Sequence, residues 1–327
     1  MENKKLVILQ EITKTIEILF KIKVINSNEI NRGLLNLKWK LETNNGNFFV
    51  KQYNSDRYPT SKFQNIKKAL SYQIKLREQG VRCPRIITNN DNIVIETPSN
   101  IRFIVTEFCE GQLVVAGKIN EMQAYDLGLE TARIHKILSK QSLNDNISTW
   151  VIPTKKKLIS KWYNNWFKLN VVHSDEMENA INIQRKIIEN IDISIFNKCN
   201  QSLTHSDLWC DNILFFSDNV SAILDFDRLQ VSYTELDIAR ALLSFALDDN
   251  CMRLDIVKNF ISGYNKLSNL SVNDVIGSMR LLYCLESFWW LVGDDQIKDG
   301  PPKRFAEEMV WLTANWFNLD KIFKKMK

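Results

Sequence analysis

One short segment of this 327-residue chain constrains it more than any other. It reads Leu203-Thr204-His205-Ser206-Asp207-Leu208-Trp209-Cys210-Asp211-Asn212-Ile213-Leu214, and shortly after it comes Ala222-Ile223-Leu224-Asp225-Phe226-Asp227. An acid, an amide and a second acid stand in the order His-x-Asp-x4-Asn, short connection, Asp. Asp207 can orient a hydroxyl and accept its proton. Asn212 and Asp225 supply the hard oxygens that Mg²⁺ prefers. The interval between them (225 − 212 = 13) suits a β-hairpin. Ile213-Leu214-Phe215-Phe216 reads as one strand, Ser217-Asp218-Asn219 as the turn and Ser221-Ala222-Ile223-Leu224 as the return. Both metal ligands are then expected at one end of that hairpin. His-x-Asp alone occurs by chance, and an Asp or Asn beside a strand is usually turn chemistry. The ordered set with apolar strands between its members reads as one site.

These residues resemble the catalytic segment of the aminoglycoside phosphotransferase/choline kinase superfamily of small-molecule kinases. The family pattern His-Gly-Asp-Leu-x3-Asn is met by His205-Ser206-Asp207-Leu208 and Asn212, with Ser in place of the usual Gly. Leu224-Asp225-Phe226-Asp227 answers to Ile-Asp-Phe-Asp/Glu. Phe49-Val50-Lys51 on an N-terminal strand, Thr106-Glu107-Phe108-Cys109-Glu110-Gly111 at the hinge, Ala132-Arg133-Ile134-His135 on a helix and Glu235-Leu236-Asp237-Ile238-Ala239-Arg240 extend the match over nearly the whole chain.

The resemblance implies an α+β, two-lobed protein-kinase-like fold. Residues 1–109 would be an antiparallel-sheet N-lobe that covers the nucleotide, and 110–327 a mainly helical C-lobe with the catalytic loop and substrate pocket. It implies ATP and Mg²⁺ as cofactors, with phosphoryl transfer to a hydroxyl of an aminoglycoside-, choline- or homoserine-type acceptor. Asp207 would be the catalytic base, and Asn212 and Asp225 the metal ligands. Lys51 would reach the α- and β-phosphates. Gly33 and Asn36 belong to the segment answering to the phosphate-covering loop, and Glu107 and Cys109 would offer backbone groups to adenine. His205 would brace the catalytic loop and Asp237 tie it down through backbone hydrogen bonds. Asp227 is open between a metal or substrate contact and a cap of the following turn.

The patterning of the chain agrees with this division. In the first hundred or so residues, Asn44-Asn45-Gly46 separates two short apolar runs, a strong hairpin signal. A second hairpin is predicted to pair 92–96 with 101–105. Between them a helix over Ser61 to Gln79 carries the apolar stripe Phe63, Ile66, Leu70 and Ile74, with Gly80 as its stop. Beyond Gly111 helices are expected at about 120–139, 155–169, 174–190, 234–248, 252–268, 271–292 and 303–325, with the catalytic hairpin as the one clear strand pair. At the N-terminus Ile8, Ile12, Ile16 and Leu19 recur at helical spacing, so this stretch reads as an amphipathic helix rather than a leader.

Bulk composition narrows the function classes. A net charge of +5 from 43 basic and 38 acidic residues is mild. The basic residues are scattered, which argues against nucleic acid as a partner. Six Cys without a Cys-x2-Cys pair, and three His in all, draw no zinc site and suit a reducing cytoplasm. No stretch approaches the roughly 18 apolar residues of a membrane span. No obligate protein partner is evident, and the partner expected is a small molecule bearing a hydroxyl.

Two features qualify this reading. Kinases pair the strand Lys with a Glu on the N-lobe helix. Here that helix offers only Glu78, in its last turn, so Gln73 is expected to accept a weaker bond from Lys51, or the contact to be absent. With the single Gly of the phosphate loop, this supports an alternative: a catalytically weak or inactive kinase-like structural protein of the spore-coat type. A protein substrate is disfavoured, because only Arg228 to Tyr233 separate Asp227 from the next helix, leaving no activation loop. By the same resemblance the acceptor pocket is expected among the C-terminal helices and the inserted helix pair at about 155–190, whose Trp residues, Trp162, Trp289 and Trp290 among them, read as packing in preference to a cation-binding face. Glu286 is the substrate candidate, and Asp294 and Asp295 lie nearby in sequence.

Overall fold

The computed structural model describes residues 2–31, 36–143, 150–169, 175–291 and 301–326. Gly33, Asp294 and Asp295 lie outside the described residues. Two compact units emerge. The first is the chain up to Gly111 together with Ser221–Arg228, and the second is Gln112–Val220 with everything from Leu229 onward.

In the first unit, helix α1 (Glu2–Phe20) precedes strands β1 (Val24–Glu29), β2 (Lys38–Thr43) and β3 (Gly46–Tyr53). Helix α2 (Thr60–Glu78) and strands β4 (Ile86–Ile87), β5 (Ile95–Glu96) and β6 (Arg102–Glu107) follow. The six strands make one antiparallel sheet in the order β1-β2-β3-β6-β4, with β5 also on β6. Gly46 makes the tight β2–β3 turn possible by taking φ +101°, where a Cβ would be strained.

The period-2 alternation of strands gives this sheet two apolar faces. Trp39, Leu41, Val50, Phe103 and Val105 pack with Ile12 and Ile16 of α1. Tyr53 and Ile104 pack on the opposite side with Phe63, Ile66 and Leu70 of α2. Lys51, one residue from Val50 and two from Tyr53, belongs to the α2 side. The segment Ser221–Arg228 is tied to this unit where Ile223 N donates to Arg82 O at 2.8 Å.

The second unit begins with β7 (Gln112–Leu113), α3 (Glu121–Leu138), α4 (Lys155–Leu169), α5 (Asp175–Asn190), β8 (Gln201–Thr204), β9 (Ile213–Phe216) and the start of β10 (Asn219–Ile223). It resumes with β11 (Gln230–Tyr233), α6 (Thr234–Ala246), β12 (Leu247–Asp248), β13 (Cys251–Met252), α7 (Leu254–Tyr264), α8 (Val272–Trp290), α9 (Pro301–Asn315) and α10 (Leu319–Phe323). The expected hairpin β9–β10 forms and takes β7 as a third strand. It is not the only strand pair of this region. β8 and β11 also pair antiparallel, with Thr204 opposite Gln230. Four residues with little apolar alternation hid that ladder from the sequence.

The single helix expected over 303–325 is also corrected, because it breaks at Trp316–Asn318. There Asn315 turns its amide back onto the Trp311 carbonyl at 2.9 Å. Trp316 is buried against Tyr283, with ring centroids 5.2 Å apart. A short polar side chain that competes for backbone carbonyls is a poor continuation of a helix.

Helices α3 and α7 cross at backbone contact. A Cβ on Gly128 would lie 2.1 Å from the Phe260 carbonyl oxygen, and one on Gly263 would lie 1.8 Å from that of Tyr125. No rotamer relieves a clash with backbone, so the helices would have to separate. Gly263→Ala is therefore expected to destabilise the protein by about 1–3 kcal/mol, the usual range for overpacking. Urea unfolding followed by circular dichroism measures it, and an unchanged midpoint would contradict the close crossing.

Candidate active site

The catalytic segment leaves β8 at Thr204 and is held in place by α6. Asp237, in the first turn of α6, accepts hydrogen bonds from His205 N and Ser206 N, both at 2.8 Å. Its side chain is fully enclosed, and His135 Nε2 stands 3.2 Å from the same carboxylate. His135 Nδ1 meets the Tyr264 hydroxyl at 2.9 Å. A chain of buried polar groups thus runs from α7 through α3 to the loop. Two otherwise orphaned N–H groups find an acceptor in it, which their burial requires.

Ser206 has φ +63°, in the left-handed region where a Cβ costs about 1–2 kcal/mol. The family's usual residue there is Gly, so Ser carries strain that Gly would not. Its hydroxyl is bonded to Thr204 Oγ1 at 2.7 Å, a local contact that helps hold the conformation.

His205 is buried, and its Nδ1 accepts from Asp207 N at 3.2 Å. Its place is under the backbone of Asp207. Asn212 follows in a short 3-10 turn and donates through Nδ2 to both the carbonyl and the Oδ2 of Asp207, each at 2.9 Å. The amide is thereby oriented with its nitrogen on Asp207, and Oδ1 takes part in neither bond.

Glu286 was expected to face substrate, but its first partners belong to the protein. Its Oε2 pairs with Arg240 Nη2 and accepts from Trp290 Nε1 at 3.0 Å. Arg240 also binds Glu308, which is fully buried, at 2.6 Å. Arg304 reaches Glu308 Oε1 at 3.2 Å. Glu286 still lines a small pocket with Trp150, Ser206, Ser232 and Arg240, beside the catalytic loop. Of the aromatic candidates, Trp162 is core and Trp289 is exposed.

The remaining predicted residues lie in the first unit. Lys51 Nζ donates to Asp225 Oδ1 at 2.8 Å and to Asp227 Oδ2 at 2.7 Å. Tyr53, two residues along the same strand, donates its hydroxyl to Asp227 Oδ1 at 2.8 Å. Burial alone would lower the Lys51 pKa, but the two carboxylates outweigh it and hold the ammonium charged well above its ordinary range. Burial and the charge of Asp227 push the Tyr53 phenol up, so it stays a neutral donor.

Of the two alternatives for Lys51, the bond to Gln73 is not made and, among the described residues, the helix contact is absent. Gln73 is buried and donates to the Pro84 carbonyl at 2.8 Å. The inward side of α2 is otherwise apolar, and Lys51 finds its carboxylates on the 225–228 segment. Sequence reasoning missed Tyr53 altogether. Its signal was its i+2 position from Lys51 on a strand.

Asn36 accepts from Asn54 N at 3.4 Å. Glu107 ends β6 with its carboxylate on Arg77, 2.9 Å away, and on Arg85 N at 3.0 Å. Cys109 is half-buried, and burial pushes its thiol up to about 11. That thiol is an inert neighbour rather than a nucleophile.

For a divalent metal the donor chemistry fits. Asn212 and Asp225 offer oxygens, and Asp225 keeps a side chain 30% exposed. Among the described residues no three His, Cys, Asp or Glu side chains gather as a closed metal cage. An ion held by one or two protein oxygens, phosphates and water is the pattern Mg²⁺ prefers. No helix among the described residues is long and apolar enough to cross a membrane.

Comparison with known proteins adds independent support. Residues 27–266 match the model of the APH family, described as the phosphotransferase enzyme family. A homoserine kinase of Rhodopseudomonas palustris strain BisA53 is 22% identical over 239 residues, covering 72% of this chain and 69% of its own. Among solved structures, the amicoumacin kinase hAmiN, in complex with AMP-PNP, Ca²⁺ and Ami, superimposes with a TM-score of 0.64 at 13% identity, covering 100% of both chains. An aminoglycoside phosphotransferase from Alicyclobacillus acidocaldarius gives 0.62 at 12% identity, covering 91% of each. The fold is therefore α+β and protein-kinase-like, and the chain belongs to the phosphotransferase enzyme family, within the aminoglycoside phosphotransferase/choline kinase superfamily of small-molecule kinases.

Proposed function

We propose that this chain transfers the γ-phosphoryl group of ATP, with Mg²⁺, to a hydroxyl of a small molecule of the aminoglycoside, choline or homoserine type. One observation carries the reading: the Asn212 amide is locked by its nitrogen onto Asp207, with the loop beneath it fastened to Asp237. That arrangement fixes a proton acceptor and an oxygen donor five residues apart on a loop whose backbone is satisfied. A loose phosphoryl-transfer transition state asks for little else than positioning and charge neutralisation.

In this reading Asp207 aligns the acceptor hydroxyl and takes its proton late. Asn212 Oδ1 and Asp225 hold the metal, which neutralises charge on the phosphates when bound. Lys51 presents its ammonium to the α- and β-phosphates. Asn36 belongs to the covering loop, and the backbone at Glu107 and Cys109 receives adenine. His205 and Asp237 keep the loop in register. The structural-protein alternative loses ground, because a scaffold has no need of an oriented Asp207–Asn212 pair.

A thermal-shift titration tests the nucleotide half directly. ATP and MgCl₂ together, at about 100 Kd, should stabilise the protein by roughly 2.7 kcal/mol, with a smaller effect for ATP in EDTA. Screening amino alcohols, amino sugars and homoserine for phosphate acceptance then identifies the substrate. No shift at millimolar ATP would overturn the proposal in favour of a structural role.

A further inference from the structure

We propose that Asp227 is the standing counter-ion of Lys51, fixed by the Tyr53 hydroxyl, and so fills the role that the N-lobe helix carboxylate has in other kinases. This assigns it as a positioning residue rather than a metal ligand, and it rests on the nucleotide reading above.

Three observations carry the assignment. Both oxygens of Asp227 are engaged, Oδ2 by Lys51 at 2.7 Å and Oδ1 by Tyr53 at 2.8 Å. Its side chain is 9% exposed against 30% for Asp225, and that of Lys51 is 5% exposed. A carboxylate so enclosed needs a partner that stays, whereas a more open one can exchange lysine for a cation. Finally, α2 packs Phe63, Ile66 and Leu70 on this side of the sheet, and the one acid in its sequence, Glu78, is its last residue.

The triad is compact in sequence terms as well as in space. Lys51 and Tyr53 lie on the same face of β3, and the Lys51 ammonium stands 5.4 Å from the centre of the Tyr53 ring. The tyrosine thus touches both members of the ion pair, through its hydroxyl and through its π face. Holding a long lysine side chain from two directions lowers the entropy it loses on meeting a phosphate.

ATP affinity, measured by isothermal titration in EDTA and again with MgCl₂, separates the two roles. Asp227→Asn should weaken ATP binding about tenfold in both conditions, as expected for removing a charged hydrogen-bond partner of Lys51. Asp225→Asn should instead remove the gain that Mg²⁺ gives. In a cycle with Lys51→Met, the double variant should bind no worse than Lys51→Met alone, since Asp227 acts only through the lysine. Tyr53→Phe keeps the ring and should give a smaller loss, again independent of Mg²⁺, and it keeps the test decisive if Asp227→Asn does not fold. A loss seen only with Mg²⁺, additive effects in the cycle, or unchanged affinity in both Asp227→Asn and Tyr53→Phe would overturn the assignment. If the unaltered chain binds no ATP, the nucleotide reading itself fails; if it binds and the variants match it, only the counter-ion role fails.

Discussion

Replacing Asp207 with Ala is expected to lower phosphoryl transfer on the order of 10³-fold, within the usual range for loss of a positioned general base, while ATP binding persists. The geometry explains why binding should survive. Asn212 donates to two acceptors on residue 207, the side chain and the backbone carbonyl, and the substitution removes only the first. The amide therefore keeps the bond from Nδ2 to the residue 207 carbonyl that orients it. His205 continues to accept from the residue 207 N–H, which every amino acid except Pro retains. The loop backbone remains fastened to Asp237 through residues 205 and 206. What disappears is the group that aligns the acceptor hydroxyl and takes its proton. The measurement is turnover with the acceptor found by screening, alongside ATP affinity by titration. Turnover within a few-fold of the unaltered chain would refute the assignment of Asp207. Lost ATP affinity with normal stability would shift its role to nucleotide binding.

How much of this was legible in the sequence depends on how local each feature is. The catalytic loop is a run of eight residues whose order carries chemistry, so Asp207 and Asn212 stood out before any fold was known. The family could be named from the same residues. Helix α2, the β2–β3 hairpin and the Gly80 stop were equally readable, because apolar spacing and turn residues lie within one element. The partners of Lys51 were not. They are 174 and 176 positions away in sequence, and local pattern does not carry such pairings. The absent helix Glu is visible in the sequence as a gap, but the gap gives no hint of what fills it: of the two alternatives it leaves, a bond to Gln73 or no helix contact, the second is the one found. The β8–β11 ladder escaped for a related reason, since four-residue strands in polar sequence become strands only when a distant partner supplies the hydrogen bonds. Glu286 reads as a lone acid in an apolar helix until Arg240, 46 positions away, is placed against it.

That last pairing belongs to a buried network, and Arg240→Met is expected to destabilise the protein by about 3–5 kcal/mol at neutral pH, the cost of leaving buried charges uncompensated. Arg240 is the one residue that bonds both Glu286 and Glu308 in the described network, and its guanidinium also stands 4.2 Å from the centre of the Phe305 ring. Met fills much of the same volume, so the loss reports charge more than packing. Arg304 keeps its bond to Glu308 Oε1 but does not replace the contact at Oε2. The pH dependence has a definite sign. Burial raises the Glu308 pKa above its ordinary value of 4.5, against the pull of Arg240 and Arg304. A carboxyl whose folded pKa is raised binds its proton more tightly when folded, so stability falls as pH rises from the unfolded value through the folded one. Removing Arg240 takes away part of the opposing pull and raises the folded pKa further. The variant should therefore lose most at neutral pH and recover part of the loss as the pH is lowered through the raised folded pKa, where Glu308 can be buried neutral. Chemical unfolding of both proteins across that range reads the effect. A deficit that stays constant with pH would place the cost in packing around Phe305 rather than in the buried carboxylates.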